Sequence, residues 1–380
     1  AEASFQYAIQ LDEKFVDAYY NLAKLYKQVE KPIFAIKTYK KLLSLDPQRQ
    51  DALINMGNIY FDDGSLEKAI TYFKKASLIN SGNEQLNDQA IINLGNTYRR
   101  KGQDLDSIRT YERVLSRSAY PGLRIKQAIT LPIVYRDKSH IDDVRLRFER
   151  ELKTIENSHM VISDPALEIS STNFFLAYQS MSNKVLQEQT AKIMLKACPA
   201  LNFVAPHSKL SRAHSEKIKI GFISAYFRQH SIGRLMQGLI ENISKNAFEI
   251  IIFTPKIHID MIANSIYECA ESVVPIPDDT FEAQEIIAAE KLDILFYTDL
   301  GMDIRTYFLA FSRLARVQCV TWGHPDTTGI PNMDYFISSN LIEPKEADQH
   351  YSEKLQQLNV LPTFYHSINF PANISPKSEF

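Results

Sequence analysis

The stretch "KIKIGFISAYFRQHSIGRLMQGLI", Lys217 to Ile240, joins a β-rich run, a polar loop and a helical pattern. The β-rich run, "KIKIGFISA", ends in small residues. The loop "YFRQHSIGR" contains Arg228, His230, Ser231 and Gly233, and it leads into the helical stretch "RLMQGLIENI". A strand that passes through a polar loop into a helix is typical of the units that build a parallel sheet.

The same alternation continues downstream. Five apolar runs predict further strands: "FEIIIFT", "SVVPI", "DILFYT", "VQCVTW" and "MDYFISS". The stretches between them predict helices: "IDMIANSIYECA", "FEAQEIIAAE" and "IRTYFLAFSRLA". Strands that are buried on both faces and alternate with helices form parallel sheets. Residues 216–370 are therefore predicted to be a Rossmann-like lobe.

Three loops of this lobe have residues suited to ligand binding, and each follows a predicted strand. They are "YFRQHSIGR"; "DLGMD" with Asp299, Gly301 and Asp303; and "GHPDTTGIP" with Gly323, His324, Pro325, Thr327 and Thr328. Ligands of parallel sheets bind beyond the carboxyl ends of the strands, so we expect the first and third loops to line one cleft. Backbone N–H groups at a helix start favour an anion, and a histidine with a pKa near 6.5 can exchange a proton at neutral pH. A single loop histidine is nevertheless more often structural, and no P-loop or GxGxxG pattern is present.

The first third of the chain repeats every 34 residues. Three segments superimpose, the third after about four inserted residues: 16–49, 50–83 and 88–117. The positions in register are Asn21, Asn55 and Asn93; Leu22, Met56 and Leu94; Ala23, Gly57 and Gly95; Tyr26, Tyr60 and Tyr98; and Ala35, Ala69 and Ser107. A small residue where two helices cross, with large residues one turn away, indicates helix-turn-helix units stacked in a solenoid. Residues 1–13 match only the second helix of a unit, so the chain is expected to begin inside a repeat.

The three asparagines in register allow two interpretations. An amide both donates and accepts hydrogen bonds, so Asn21, Asn55 and Asn93 would suit the backbone of an extended peptide. Alternatively, each amide satisfies a neighbouring turn.

Residues 118–215 have helical spacing without the 34-residue period and are predicted to be a helical linker region. The apolar positions of "IDDVRLRFERELKTI" fall on one helix face. "STNFFLAYQSMSNKVLQEQTAKIMLKAC" predicts a helical pair, with Phe174, Phe175 and Tyr178 in the core.

Bulk properties exclude several classes of protein. The net charge of −2 gives no global reason to bind nucleic acid or an anionic membrane. No apolar run approaches the roughly 20 residues of a membrane span. The three widely separated cysteines, Cys198, Cys269 and Cys319, fit a reducing compartment and a cytoplasmic location, and they show no zinc spacing.

Taken together, the repeats, "FRQHSIGR", "TWGHPDTTGIPNMDYFISS" and "EADQHYSEKLQQL" resemble the protein O-GlcNAc transferase and SPINDLY family. The resemblance implies tetratricopeptide repeats in residues 1–117, then the N-terminal lobe of a GT-B glycosyltransferase, an α plus α/β chain overall. It also implies that a sugar, GlcNAc as is usual in the family, is transferred from a UDP-sugar to Ser or Thr with inversion at the sugar C1. No metal is expected to take part. A polypeptide acceptor or partner would bind the concave face of the repeats.

The resemblance also implies roles for individual residues. His230 matches the family's histidine beside the reaction centre, proposed as a base or an acceptor contact. Gly323, His324, Pro325, Thr327 and Thr328 match the loop that approaches the donor, where His324 replaces a frequent Tyr. Arg228, Ser231, Gly233, Asp299, Gly301 and Asp303 are further candidates for the cleft.

Two departures from the family keep an alternative open. Asp293 stands where the family often has a His, and "DLGMD" replaces an Asn-Gly element. In the family the main nucleotide contacts come from a second lobe, whose linker would begin at 371–380, so we expect residues 1–380 alone to be inactive. The alternative is a peptide-binding scaffold with a degenerate, non-catalytic transferase lobe.

Overall fold

The computed structural model describes residues 1–79, 81–211 and 217–366. The chain forms two compact units, Ala1–Ile141 and Asp142–Phe380. The predicted domain bounds at 117, 215 and 370 stay predictions. The predicted linker start at 371–380 lies outside the described residues.

The first unit is made of paired antiparallel helices, as the 34-residue period predicts. Its helices are α1 (Glu2–Leu11), α2 (Val16–Gln28), α3 (Pro32–Leu45), α4 (Gln50–Asp62), α5 (Leu66–Ser77), α6 (Glu84–Arg100), α7 (Asp104–Leu115) and α8 (Pro121–Ala128), and the unit ends within α9 (Lys138–Glu156). The four inserted residues are accommodated within α6, which has 17 residues where α4 has 13. An insertion of four residues adds about one helical turn, because a turn contains about 3.6 residues.

The small residues in register lie where the helices of a pair cross. A Cβ added at Gly57 of α4 would lie 2.4 Å from the ring of Phe73 on α5. The same addition at Gly95 of α6 would lie 2.4 Å from the ring of Tyr111 on α7. Both rings are fully buried, so the crossing distance leaves no room for a side chain at these two glycines.

The second unit contains a parallel sheet. Its strands are β1 (Ile218–Ile223), β2 (Phe248–Thr254), β3 (Ser272–Pro275), β4 (Ile294–Tyr297), β5 (Val317–Thr321), β6 (Tyr335–Ser339) and β7 (Lys354–Leu358). In the described part of the chain these seven strands pair in the order β3-β2-β1-β4-β5-β6-β7, all in parallel. The helices that connect or precede them are α10 (Pro165–Glu168), α11 (Lys184–Ala197), α12 (Ser231–Asn242), α13 (Met261–Glu268), α14 (Thr280–Ala289) and α15 (Ile304–Leu309).

The sheet reverses its winding direction between β1 and β4. Ile220 of β1 is in register with Ile294 of β4, and Ile223 with Tyr297. At such a switch point the loops after the two strands diverge and leave a crevice, in which ligands of open parallel sheets bind. The predicted Rossmann-like architecture is therefore confirmed, and it fixes where the functional loops lie.

Two expectations need correction. Strand β7 is not among the predicted strands, because "KLQQL" is polar for a strand of a parallel sheet. It tolerates polar residues because, among the described residues, it lies at the edge of the sheet and pairs only with β6. The first helix of the predicted helical pair is a short 3-10 turn, Phe174–Gln179, followed by Ser180 in the left-handed region at φ 53°. The buried residues of this turn are Leu176 and Gln179. Phe174 and Phe175 are half-buried, whereas Tyr178 is 59% exposed and is not a core residue.

We expect Gly57→Val to lower the free energy of unfolding of the first unit by about 1–3 kcal/mol, the usual cost of overpacking a core. The added side chain collides with the Phe73 ring, so Gly57→Val combined with Phe73→Leu should be less unstable than the sum of the two changes. Denaturant unfolding followed by circular dichroism measures this. Asp62→Val, at the exposed end of the same helix, is the control and should change stability by about 0.5 kcal/mol or less. Equal effects at positions 57 and 62 would contradict the crossing argument.

Candidate functional site

Three loops meet at the carboxyl-terminal edge of the sheet. The first loop, 224–230, follows β1; the second, 298–303, follows β4; and the third, 322–334, follows β5. The Tyr226 hydroxyl donates to the Met302 carbonyl at 3.2 Å, which joins the first loop to the second. Gly323 approaches the second loop so closely that a Cβ there would lie 2.0 Å from the Thr298 carbonyl oxygen. The first and third loops, about 90 residues apart in sequence, therefore both pack on the second, as expected for loops at one sheet edge.

His230 is the N-cap of α12. Its Nδ1 accepts a hydrogen bond from the Ile232 N–H at 3.2 Å, and its ring stacks on Tyr226 with centroids 4.5 Å apart. Burial and the nearby Arg228 guanidinium lower the pKa of His230 below its usual value. The ring is therefore neutral at physiological pH. Because Nδ1 acts as an acceptor, the ring proton is on Nε2. In this arrangement Nε2 is a hydrogen-bond donor, and a catalytic role of His230 stays a prediction.

The other candidates of the first loop shape its backbone. A Cβ at Gly233 would lie 2.1 Å from the Arg228 carbonyl oxygen, so the loop closes on the start of α12 only with glycine at this position. Ser231 is exposed as the first residue of the helix. The Arg228 guanidinium lies 5.9 Å from the centre of the Tyr226 ring, within cation–π range.

The second loop contains one capping carboxylate and one buried carboxylate. Asp303 caps α15 by accepting hydrogen bonds from the N–H groups of Arg305 and Thr306 at 3.0 and 3.1 Å. It therefore stabilises the start of this helix, and its place in the cleft stays a prediction. Asp299 is 1% exposed, and its Oδ1 accepts a hydrogen bond from the Thr298 hydroxyl at 2.6 Å. Burial raises the pKa of Asp299 to about 7. Gly301, at φ 105°, packs against the His324 ring.

Most predicted side chains of the third loop face inward. His324 is 5% exposed and stacks on Phe174 with ring centroids 4.7 Å apart, and burial lowers its pKa to about 4. Thr327 and Thr328 are buried as well, whereas Pro325 is exposed. Among the predicted residues of the third loop, Pro325 is therefore the one whose side chain is exposed to a ligand. Donor binding by the side chains of His324, Thr327 and Thr328 stays a prediction.

Glu353, which the sequence analysis did not single out, holds the third loop in place. Its carboxylate is 5% exposed and accepts hydrogen bonds from the Thr327 hydroxyl at 2.7 Å, from the Thr328 N–H at 2.8 Å and from the Thr328 hydroxyl. The Ser352 hydroxyl accepts from the Gly329 N–H at 3.0 Å. Both residues belong to the stretch "EADQHYSEKLQQL", which was quoted for the resemblance without a role for any residue.

Asp326, a residue of the third loop, joins this loop to the amino-terminal part of α11. Its Oδ2 accepts from Asn183 at 3.0 Å and from Gln187 at 3.1 Å. Burial raises the pKa of Asp326 to about 6. The third loop is thus fixed from two directions by side-chain hydrogen bonds.

Asp293, the residue that replaces a frequent family histidine, lies at the amino-terminal end of β4. It accepts from the Lys219 N–H at 3.0 Å and from Arg316 Nε at 3.0 Å. This is the opposite edge of the sheet from the three loops. The substitution therefore does not alter the loops described above.

The asparagines in register bond to groups within the repeats. Asn21 Nδ2 donates to the Asp17 carbonyl at 3.0 Å, Asn55 Nδ2 to the Tyr20 hydroxyl at 3.2 Å, and Asn93 Nδ2 to Asn58 Oδ1 at 3.0 Å. The bonds of Asn55 and Asn93 each reach the preceding repeat. The acceptors lie on helices α2 and α4, so these bonds do not satisfy neighbouring turns as the alternative interpretation expected. Peptide binding by the three asparagines stays a prediction.

Two absences concern residues 1–79, 81–211 and 217–366. Within these ranges no three His, Cys, Asp or Glu residues are grouped so that they could hold a metal ion. No helix among the described residues combines the length and the apolar character needed to cross a membrane.

We expect Glu353→Ala to destabilise the second unit by about 3 kcal/mol or more, because several buried donors lose a charged acceptor. Glu353→Gln keeps one oxygen acceptor and should cost less. Thermal unfolding measures both changes, and Glu346→Ala, at an exposed glutamate of the preceding turn, is the control. A Glu353→Ala protein as stable as the Glu346→Ala protein would show that the carboxylate does not hold the third loop.

The comparisons with known proteins agree with this architecture. Residues 179–367 match the family model described as glycosyl transferase family 41, and residues 16–49, 50–83 and 90–123 match tetratricopeptide-repeat models. The chain is 25% identical over 156 residues to the probable UDP-N-acetylglucosamine–peptide N-acetylglucosaminyltransferase SPINDLY of Arabidopsis thaliana. The protein of the same name from Petunia hybrida is 23% identical over 154 residues. These alignments span 37% and 39% of this chain, and 16% of each relative.

Among solved structures, a mutant O-GlcNAc transferase from Thermobaculum terrenum superimposes with a TM-score of 0.60 at 18% identity. The superposition covers 91% of this chain and 57% of that chain, and it shows a shared fold. The chain therefore spans only part of the length of these relatives. Residues 179–367 are a domain of glycosyl transferase family 41 that follows tetratricopeptide repeats, and the predicted resemblance to the protein O-GlcNAc transferase and SPINDLY family is confirmed.

Proposed function

We propose that the chain provides the first lobe of a protein glycosyltransferase, which transfers GlcNAc from UDP-GlcNAc to Ser or Thr hydroxyls. The observation that carries the proposal is the meeting of the three loops at the switch point of the sheet, within residues that match family 41. Crevices at such points are the sites where open parallel sheets bind nucleotides.

The reaction requires one bond to form and one to break at the sugar C1. The acceptor hydroxyl oxygen bonds to C1, the bond from C1 to the UDP oxygen breaks, and UDP leaves with the electron pair. The hydroxyl proton leaves for solvent or for a base. Positioning and electrostatic stabilisation dominate such a step, and these are what the first-lobe loops can supply.

His230 suits the positioning part of this chemistry. Its Nε2–H is a fixed donor, because Nδ1 is engaged by the Ile232 N–H and the ring is held against Tyr226. A neutral donor of this kind orients a hydroxyl or sugar oxygen. Of the two roles implied by the family resemblance, the geometry favours the acceptor contact over the base.

Sugar transfer tests the proposal directly. The natural chain that contains residues 1–380 should transfer radiolabelled GlcNAc from UDP-GlcNAc to Ser or Thr of cellular proteins. His230→Ala should lower the rate by up to about 10²–10³-fold, the usual cost of removing one preorganised hydrogen-bond donor. His230→Gln should lose less activity, since its amide can donate in place of Nε2–H. His159→Ala, at an exposed histidine outside the loops, is the control. Titration calorimetry of residues 1–380 with UDP should show binding in the millimolar range or weaker, about 4 kcal/mol or less.

A natural chain that neither transfers sugar nor binds UDP-GlcNAc would overturn the enzyme proposal in favour of the scaffold. Micromolar UDP binding by residues 1–380 would place the nucleotide site in this lobe. Transfer that is unaffected by His230→Ala would remove His230 from the reaction and leave the activity standing.

The tetratricopeptide repeats belong to the proposal as the part that binds a polypeptide acceptor or partner. Their matched repeat models and helix pairs support protein binding. A cytoplasmic location is included, and the free cysteines Cys198, Cys269 and Cys319 are consistent with it.

We expect the triple change Asn21→Ala, Asn55→Ala and Asn93→Ala to weaken binding of a captured acceptor peptide, since each amide bond contributes about 0.5–1.5 kcal/mol. Fluorescence anisotropy with a labelled peptide measures the affinity, and thermal unfolding measures stability. Because Asn55 and Asn93 bond to the preceding repeats, a fall in melting temperature with unchanged affinity would assign the row to repeat packing. The exposed change Lys24→Ala on α2 serves as control.

A further inference from the structure

Asp299 is a buried carboxyl group at the switch point of the sheet. It directly follows Thr298 at the end of β4, and Ser224 lies at the end of the neighbouring β1. All three residues are at most 1% exposed. Oδ1 accepts a hydrogen bond from the Thr298 hydroxyl at 2.6 Å. The nearby Ser224 hydroxyl also favours the charged form and lowers the pKa of the carboxyl group, but less than burial raises it.

The second oxygen of this carboxyl group has no partner. Oδ2 of Asp299 is fully buried and has no hydrogen-bond partner among the described residues. Leaving a buried polar atom without a hydrogen bond is unfavourable, and more so when the atom is charged. The group therefore favours its neutral form until a donor reaches Oδ2, in agreement with its raised pKa.

A complementary donor occupies the neighbouring strand position. Nε1 of Trp322 is buried and has no acceptor among the described residues. Tyr297 of β4 is in register with Val320 of β5. When the same parallel register is extended by two residues along both strands, Asp299 lies opposite Trp322. Gly323 packs on the Thr298 carbonyl at this point, so the two backbones are in contact there.

We infer that Asp299 is a positioning residue: when its carboxyl group loses its proton to solvent, Oδ2 accepts a hydrogen bond from Trp322 Nε1, and this bond fixes the third loop against the second. The step satisfies a buried donor and a buried acceptor at once. It also offsets the cost of the new charge, because a hydrogen bond to a charged group contributes about twice as much as a neutral one. For sugar transfer the inference rests on the proposed function; the bond itself does not.

Each of the three loops contains other titratable groups. The first loop contributes Tyr226, near which lie Arg228 and His230, and the second loop contributes Asp303, whose negative charge also raises the pKa of Asp299. The third loop contributes His324, with a pKa of about 4, and Asp326, with a pKa of about 6. Asp326 is the group whose titration falls closest to that of Asp299, so it must be controlled.

The chain contains a single tryptophan, so protein labelled with ¹⁵N-tryptophan gives one indole N–H resonance in an NMR spectrum. We expect this resonance to move downfield in a one-proton transition centred near pH 7, when residues 1–380 are titrated from about pH 5.5 to 8.5. Asp299→Asn should abolish the transition. Asp326→Asn and Asp303→Asn should retain it.

Thr298→Val provides a second variant if Asp299→Asn fails to fold. It removes the hydroxyl that stabilises the ionised carboxyl group, so the midpoint should move to higher pH. An indole resonance that does not respond to pH, or that responds equally in wild type and Asp299→Asn, would overturn the inference.

Transfer by the natural chain separates the two proposals. If the chain is active, Asp299→Asn should flatten the dependence of kcat on pH across the same range, whereas Asp303→Asn should not. If the indole transition is present and depends on Asp299, but no sugar is transferred, the inferred bond stands and the proposed function fails. Activity with a pH profile that Asp299→Asn leaves unchanged would overturn the positioning role alone.

Discussion

The parallel pairing of β1 with β4 is the contact on which the second unit depends. These strands are separated by β2, β3 and the helices between them, yet they are hydrogen-bonded neighbours at the centre of the sheet. From this pair the chain builds outward in both directions. The loops after β1 and β4 therefore diverge at one edge, and polar residues such as Ser224 and Asp299 become buried there without entering the apolar core.

Burial of polar groups also explains how the third loop keeps its shape without regular secondary structure. A loop of this kind exposes backbone donors and acceptors that must find partners. Here Glu353 accepts a hydrogen bond from the backbone N–H of Thr328 in the loop. Asp326, a residue of the loop itself, accepts one from the side chain of Asn183. The inward direction of Thr327 and Thr328 follows from that requirement. Of the side chains predicted to bind the donor, Pro325 is therefore the exposed one.

The periodic parts of the chain could be predicted, and the side-chain contacts could not. The 34-residue period located the helix crossings at Gly57 and Gly95, and buried apolar runs located six of the seven strands now described. Strand β7 could not be predicted in this way, because a strand at the edge of a sheet is less buried and does not need an apolar sequence. Loop sequences correctly indicated that His230 and Gly323 share an edge, because parallel topology dictates it. They could not reveal that His230 Nδ1 is engaged, that Asp303 is a helix cap or that Glu353 is an anchor, since these depend on three-dimensional distances between residues far apart in sequence.

The two edges of the sheet have a consequence for the behaviour of the protein at high concentration. The central strands, such as β2 with the sequence "FEIIIFT", would template aggregation if they lay at an edge. Instead, one edge is β3, a strand of four residues that ends at Pro275. The other edge is β7, which contains Lys354 and two glutamines. Short length, proline and lysine all discourage a second sheet from adding to an edge. Strand β7 could not be predicted from the sequence because it is polar. The same polar composition discourages the sheets of neighbouring molecules from pairing at this edge.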